Sequence, residues 1–483
     1  MLHSRRAFLA DLAGTAAGAW MGAGAVAPAL TAGAAATGPA RLPRTRAERT
    51  WIGQPDRRRG FRGLSSVATP GGAGREPRRV VQRQSHGAVV GRAVPRSLAE
   101  QFTDLRRRFV FEYYPWYDSD PWYHWNEAGR TPPLDIAAAA VPRLGPYDST
   151  DVRVIEQHAR WIADAGVGAI NMSWWGRGDY TDLAVPRVMD VMRDHDIKVT
   201  FHLEPYGDSR ARRYADDVIY LLREYGEKRR WDTFLLLEEG NGGVAPVFKS
   251  FRTILPRDVQ DCLGQRILVP DYTSDGDWRR QTDATREGVR REFSRVYLLA
   301  DSLDMGRMTA SGFDGLAVYD NFVTPARWPR IAEDASGADL LFSFNVNPGF
   351  DRYPDRTAPP SPAVDPCYGG PSGFEPGGTH PDWTDMAARA AAQGAALERI
   401  SEAFATTTRL QQQPSPNRTR GFFLAYVNSF NEWHEGHQFE PALDATDLSA
   451  DQRRLGYHNP PDGFARLRHL RSLLASTSPP QGR

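Results

Sequence analysis

Lysine and cysteine are nearly absent from this 483-residue chain. Lys198, Lys228 and Lys249 are its only lysines, the mark of a GC-rich bacterial genome rather than of a function. Cys262 and Cys367 are too few for a disulfide framework or a structural zinc centre, and leave a single bridge between them as an open option. No run of about 20 apolar residues lies in the body of the chain, so nothing there reads as a membrane span. A Gly-rich phosphate loop, a dinucleotide fingerprint and a Gly-x-Ser-x-Gly elbow are all missing. Their absence removes nucleotide chemistry and the serine-hydrolase elbow from consideration.

The formal charge of +1 conceals an asymmetry. Residues 41–108 hold 17 Arg against 5 acidic residues, so the remainder from residue 109 is strongly acidic. The basic part therefore reads as a tail and not as a nucleic-acid-binding fold. Before it, Ser4-Arg5-Arg6-Ala7-Phe8-Leu9 and an Ala/Gly-rich run to about Ala36 resemble a twin-arginine export signal. The competing reading of residues 1–36 is an uncleaved anchor. Residues 37–108, rich in Arg, Gly, Pro and Ser without periodicity, read as a disordered linker. The expectation is a secreted or envelope-associated protein with no stable span once the signal is removed.

At Phe109 the character changes, and 41% apolar residues overall leave ample material for a core. Eight strand-like runs follow: Phe109–Tyr114, Gly168–Ser173, Val199–Leu203, Pro246–Phe251, Val296–Ala300, Phe313–Tyr319, Leu340–Asn345 and Gly421–Val427. Arg266–Pro270 and Phe234–Leu237 are further strand candidates. Helical stretches alternate with the runs at Val152–Ala165, Leu183–His195, Ala211–Tyr225, Pro325–Ala335 and Trp383–Thr407, and a last one lies near Gly463–Leu474. In the first, Val152, Ile155, Ala159 and Ile162 share a face, with Ser149 or Thr150 as cap. Alternating β and α units predict an α/β fold, a (β/α)8 TIM barrel over residues 109–476 with long loops at its C-terminal face. An open doubly wound sheet is the alternative, and residues 477–483 read as a disordered tail. Asp351–Pro381, dense in Pro and Gly, is long for a βα loop and reads as substrate-facing.

In such a barrel the chemistry sits where strands end. The first run leads into Tyr113-Tyr114-Pro115-Trp116-Tyr117 and His124-Trp125-Asn126. The second ends in Ser173-Trp174-Trp175-Gly176 and the third in Phe201-His202-Leu203-Glu204-Pro205-Tyr206. The last leads into Phe430-Asn431-Glu432-Trp433-His434-Glu435-Gly436-His437-Gln438. Sugars present C–H faces and hydroxyl rims, so aromatic platforms beside carboxylates and amides suit them. Glycoside hydrolysis needs one carboxyl to protonate the leaving oxygen and another to assist attack. Glu432 and Glu435 are the candidate pair, and a solvated acidic turn is the bland alternative. A zinc-protease helix needs histidines four apart, whereas His434 and His437 are three apart. No metal and no cofactor is expected.

These blocks, in this order and together with Leu144-Gly145-Pro146-Tyr147 and Gly312-Phe313-Asp314-Gly315, resemble glycoside hydrolase family 99, the endo-α-mannosidases and endo-α-1,2-mannanases. The resemblance covers roughly residues 109–475. It implies a single barrel, acting without metal on internal α-1,2 linkages of mannan-type glycans with retention of configuration. Glu435 would be the general acid/base, and Glu432 the base that deprotonates the sugar's own 2-hydroxyl, which attacks the anomeric carbon. Tyr114, Trp125, Trp174, Trp175, His202, Glu204, Tyr206, Asn431 and Trp433 would line the sugar sites. Trp175 falls where the family's bacterial members carry the Trp that favours mannose. The chain departs from the family's Gly-Pro-Gly-Tyr at Asn347-Pro348-Gly349-Phe350, and His437 replaces the more usual Thr. Phe350 thereby removes a hydroxyl expected near the catalytic centre. An oligosaccharide or polysaccharide is the expected partner, and the protein is expected to be a monomer. Alternatives are a related hydrolase of a different glycan and a carbohydrate-binding envelope protein without turnover.

Overall fold

The computed structural model describes residues 104–206, 210–228, 230–239, 242–260, 266–269, 271–319, 323–349, 351, 382–413 and 415–477. Residues 1–36, read as an export signal, nearly all of the segment read as a linker, Phe350, Cys262, Cys367, most of the Asp351–Pro381 segment and the residues beyond 477 lie outside these residues.

All eight anticipated runs form parallel strands of one sheet: β1 (Phe109–Tyr113), β2 (Ala169–Trp174), β3 (Lys198–Leu203), β4 (Val244–Ser250), β5 (Tyr297–Ala300), β6 (Gly315–Ala317), β7 (Leu341–Ser343 with Asn345–Val346) and β8 (Ala425–Val427). Neighbours follow chain order from β1 to β7, and β8 pairs with β1. The ring closes through β7, which is interrupted at Phe344. Its first part pairs with β6 and its second with β8. This is a (β/α)8 barrel, and the open doubly wound sheet is set aside. The strands are buried on both faces, which is why they read as continuous apolar runs. The two extra candidates are strands of another kind. Leu236–Glu238 pairs antiparallel with β4, and Arg266–Leu268 forms a separate hairpin with Asp258–Gln260.

Among the described residues, the α-helices of seven residues or more are α1 (Val152–Asp164), α2 (Tyr180–Asp194), α3 (Arg210–Leu221), α4 (Asp275–Val289), α5 (Met305–Ser311), α6 (Trp328–Gly337), α7 (Met386–Gln412) and α8 (Ala465–Ser476). Asp151, not Ser149 or Thr150, caps α1 by accepting from the Arg153 N–H. Val152 is exposed, while Ile155, Ala159 and Ile162 face inward. The first helical residue precedes the inward stripe, so its side chain swings to solvent. Helix α2 begins three residues before the expected Leu183, because Asp179 caps it. It tolerates Pro186 in its interior: the Asp182 carbonyl, which proline cannot bond, accepts the Tyr225 hydroxyl at 3.0 Å.

Three apolar regions result. One lies between strands and helices, and one fills the barrel interior with Val110, Val247, Leu299 and Tyr426. The third caps the C-terminal mouth with Tyr114, Trp116, Tyr117, Trp125, Tyr147, Trp433 and Tyr457. The mouth is therefore an aromatic collar around whatever the strand ends present.

Candidate active site

The loop after β8 carries both glutamates and is pinned to the first strand. Phe430 donates its N–H to the Glu112 carbonyl at 2.7 Å. The Asn431 amide clamps the Tyr114 backbone, accepting from its N–H at 2.7 Å and donating to its carbonyl at 2.9 Å. The Trp433 N–H donates to the Tyr117 hydroxyl at 3.1 Å, and its indole N–H to Glu440 at 2.8 Å. Glu440 also accepts the Tyr147 hydroxyl at 2.7 Å and faces His158 at 3.2 Å. This third carboxylate of the acidic stretch is thus a buried anchor. Asn431 and Trp433, expected as sugar contacts, are fully buried parts of the same clamp.

Glu432 is 1% exposed. Its backbone N–H donates to Ser429 Oγ at 2.8 Å, and its Oε1 accepts the His434 N–H at 3.1 Å. The negative charge of Glu432 bears on Tyr117, whose hydroxyl is pushed well above its ordinary range, first by burial and then by that charge. Glu435 is 4% exposed. Its Oε2 accepts the Tyr319 hydroxyl at 2.9 Å and lies 2.5 Å from His437 Nε2. The turn that aims it depends on Gly436 at φ +69°, where a Cβ would fall inside the Asp351 carbonyl. Asp351 in turn donates its N–H to the Glu435 carbonyl at 2.8 Å.

Tyr319 belongs to a network that reaches down through the barrel. Its hydroxyl meets the Tyr114 hydroxyl at 3.3 Å, and its N–H donates to Asp301 at 3.1 Å. The Lys249 ammonium lies 5.2 Å from its ring and ion-pairs with Glu112 at 2.5 Å, both side chains wholly buried. Glu112 also faces His202 Nδ1 at 3.1 Å and accepts the Asn171 amide at 2.9 Å. Burial pushes the Glu112 carboxyl up, but Lys249 and His202 outweigh it and hold the group at about 2. Asp301 goes the other way: burial raises it, and Lys249 only partly offsets the rise.

The remaining expected residues separate by position. His202 is buried with its ring 5.8 Å from that of Tyr319, and its Nε2 has no hydrogen-bond partner among the described residues. Glu204 accepts the Ser173 hydroxyl at 2.8 Å. Trp175 is half-buried, and its indole N–H likewise has no partner among the described residues. The Tyr206 hydroxyl is engaged by Asp217 at 2.9 Å, and its ring packs against Trp174 at 5.0 Å. Trp125 and Trp174 are wholly buried, and their indole N–H groups donate to the Tyr147 carbonyl and to Asp182, each at 2.8 Å. These two rings are framework in this state. Tyr319, Lys249 and Ser429 escaped the sequence reading of the site, and Glu112 entered it only as part of the cluster that ends the first run. For Tyr319 the signal was present, since it ends the run Phe313–Tyr319.

His124, Glu127 and His434 bring ligand-type atoms within 4.8 Å of one another. Their contacts have another explanation. His124 Nδ1 meets Glu127 at 2.7 Å, His434 Nε2 meets the His124 carbonyl at 2.9 Å, and Trp116 stacks on both imidazoles. A carbonyl only accepts, so His434 Nε2 carries its proton in this arrangement and Nδ1 keeps the lone pair.

Residues 109–234 match the family model described as glycosyl hydrolase family 99. The chain is similar to the glycoprotein endo-alpha-1,2-mannosidase of Mus musculus, 24% identical over 365 aligned residues covering 68% of this chain and 67% of that protein. It is 26% identical to the endo-alpha-1,2-mannosidase-like protein of Danio rerio, covering 68% of this chain and 70% of that one. The GH99 endo-alpha-mannosidase of Bacteroides thetaiotaomicron shares the fold, with a TM-score of 0.54 at 20% identity, over 77% of this chain and 97% of that structure. With two buried glutamates on the loop after the last barrel strand, and the matched segment supplying the first three strands around them, the chain resembles glycosyl hydrolase family 99 and is a glycosidase.

Proposed function

We propose that this protein is an exported, retaining, endo-acting hydrolase of internal α-1,2-mannosidic linkages, with Glu432 and Glu435 as its catalytic pair. The observation that carries the reading is the different setting of the two carboxylates on one loop. Glu435 is held by a phenol and an imidazole, as suits a group that gives and regains a proton. Glu432 Oε1 accepts the His434 backbone N–H on its own loop, as suits a standing base. The names of the relatives support the linkage, and the twin-arginine pattern at Arg5-Arg6 supports export to the envelope or medium.

In the first step Glu432 takes the proton of the 2-hydroxyl, and O2 attacks the anomeric carbon. The glycosidic C–O bond breaks as Glu435 gives its proton to the leaving oxygen. In the second step Glu435 takes a proton from water, whose oxygen attacks the anomeric carbon. The C1–O2 bond of the epoxide-like intermediate opens, and Glu432 returns the proton to O2. Two inversions at one carbon give net retention. Tyr114, Trp175, His202, Glu204 and Tyr206 form the proposed sugar-facing set around this centre. The unpartnered His202 Nε2 and Trp175 indole N–H support roles for those two.

Incubation with α-1,2-branched mannan, followed by product sizing, tests the reading. Oligosaccharides from internal cleavage, absent with Glu435→Gln, are expected. Monosaccharide release alone, or no product from any α-mannoside, would overturn it.

A further inference from the structure

His437 is a buried imidazole joined to both catalytic segments at once. Its Nε2 lies 2.5 Å from Glu435 Oε2, and its Nδ1 lies 3.0 Å from Ser429 Oγ. An ionised carboxylate only accepts, so Nε2 is the ring nitrogen that donates, while Ser429 Oγ, which accepts the Glu432 backbone N–H at 2.8 Å, has its own proton to give to Nδ1. The network thereby assigns the ring proton to Nε2, facing the carboxylate. Glu435 Oε2 then receives two donors, the Tyr319 hydroxyl at 2.9 Å and this N–H. An oxygen accepting two hydrogen bonds is the poorer site for a proton, so the transferable proton is directed to Oε1.

We propose that His437, oriented by Ser429, is a positioning residue for the acid/base. It holds Glu435 Oε2 so that the proton for the leaving group sits on Oε1. The proposal rests on the assignment of Glu435 given above. It differs from a packing role, because a ring that merely fills space needs neither Ser429 on one nitrogen nor a carboxylate on the other.

The charged and titratable groups around this imidazole decide what its loss does with pH. Glu435 touches it directly, and the Tyr319 ring lies 6.2 Å away with Lys249 behind it. Glu432 is reached through Ser429. Arg466 bonds the carbonyls of Gly436 and Gln438 on either side, and Asp351 bonds the Glu435 carbonyl. None of these replaces the Nε2–H on Oε2. Removing that donor disfavours the carboxylate, so Glu435 keeps its proton to higher pH.

The experiment compares full-length wild type, His437→Ala, His437→Gln, Ser429→Ala and Glu435→Gln on an α-mannan oligosaccharide and on the matching glycosyl fluoride, whose leaving group needs no proton. His437→Ala is expected to lower kcat on the glycan about 10–100-fold with KM nearly unchanged, and to spare the fluoride to within about threefold. The alkaline limb of kcat/KM should move up by about one pH unit. His437→Gln, which keeps an N–H donor, should recover most of the glycan rate. Ser429→Ala should shift in the direction of His437→Ala by less. Equal losses on both substrates, or unchanged glycan turnover and pH limb in both His437→Ala and Ser429→Ala, would overturn the proposal. Because Glu435 is also the base of the second step, the fluoride arm for Glu435→Gln is read with azide as a nucleophile that needs no base; should both substrates still be lost equally, the assignment of Glu435 fails, whatever the His437 variants do. Should Glu435→Gln spare only the fluoride while His437→Ala does not discriminate, only the His437 proposal fails.

Discussion

Single side chains in this barrel answer for quite different quantities. Lys249 and Glu112 are a stability pair: both are wholly buried, 2.5 Å apart, with His202 and Asn171 completing the carboxylate's partners. Lys249→Met leaves an uncompensated buried carboxylate and should lower unfolding free energy by about 3–5 kcal/mol in urea titrations. The Lys249→Met/Glu112→Leu double variant should lose less than the sum of the singles. Glu112 sits at about 2 in the fold against an ordinary 4.5. Its depressed value means its contribution is present above 4.5 and disappears as pH falls through about 2. Tyr319 answers for turnover instead, since its hydroxyl lies on Glu435 Oε2. Tyr319→Phe should cost about 10-fold or more in kcat while moving the melting temperature by only a few degrees, which steady-state kinetics and calorimetry will separate.

Strand and loop construction explain where the carboxylates point. Strand β8 is only three residues long, and the chain after it is fixed by Glu112 and Tyr114 of the first strand region rather than by more ladder. The turn at Gly436 is the second constraint. A methyl group there meets the Asp351 backbone and demands an unfavourable positive φ. Gly436→Ala should therefore displace Glu435, with kcat down at least about 10-fold and far-ultraviolet circular dichroism unchanged. Wild-type turnover in that variant would show that the turn has slack to spare. Strand β7, by contrast, breaks at Phe344 yet still closes the ring, because its two parts pair with different neighbours.

Across the whole molecule, legibility follows burial. Strands buried on both faces announced themselves as apolar runs, and all eight were found. Helices α4 and α5 were not: α4 keeps only Trp278, Thr282, Thr285 and Val289 buried among charged residues, and α5 is a seven-residue piece. In the site, Glu432 and Glu435 were legible as candidates because they stand three positions apart on one loop. The Tyr319–Glu435 contact spans 116 residues and the Lys249–Glu112 contact 137, so no local pattern could display them. Tryptophans at strand ends were the weakest guide. Trp125, Trp174 and Trp433 occupy platform-like sequence positions, yet their indoles are spent on internal acceptors. A bulky ring at a barrel mouth can pave the floor or brace it, and its partners decide which.

The division of labour between the two glutamates is the claim on which the functional account depends. Glu432→Gln keeps shape and hydrogen bonding but cannot take the 2-hydroxyl proton. Turnover of an α-1,2-mannan oligosaccharide by Glu432→Gln, measured beside calorimetric binding of the same ligand, tests this directly. With Glu432 as the base, kcat should fall by about three orders of magnitude or more while Kd stays within about threefold of wild type. Turnover within about tenfold of wild type, with binding intact, would contradict it.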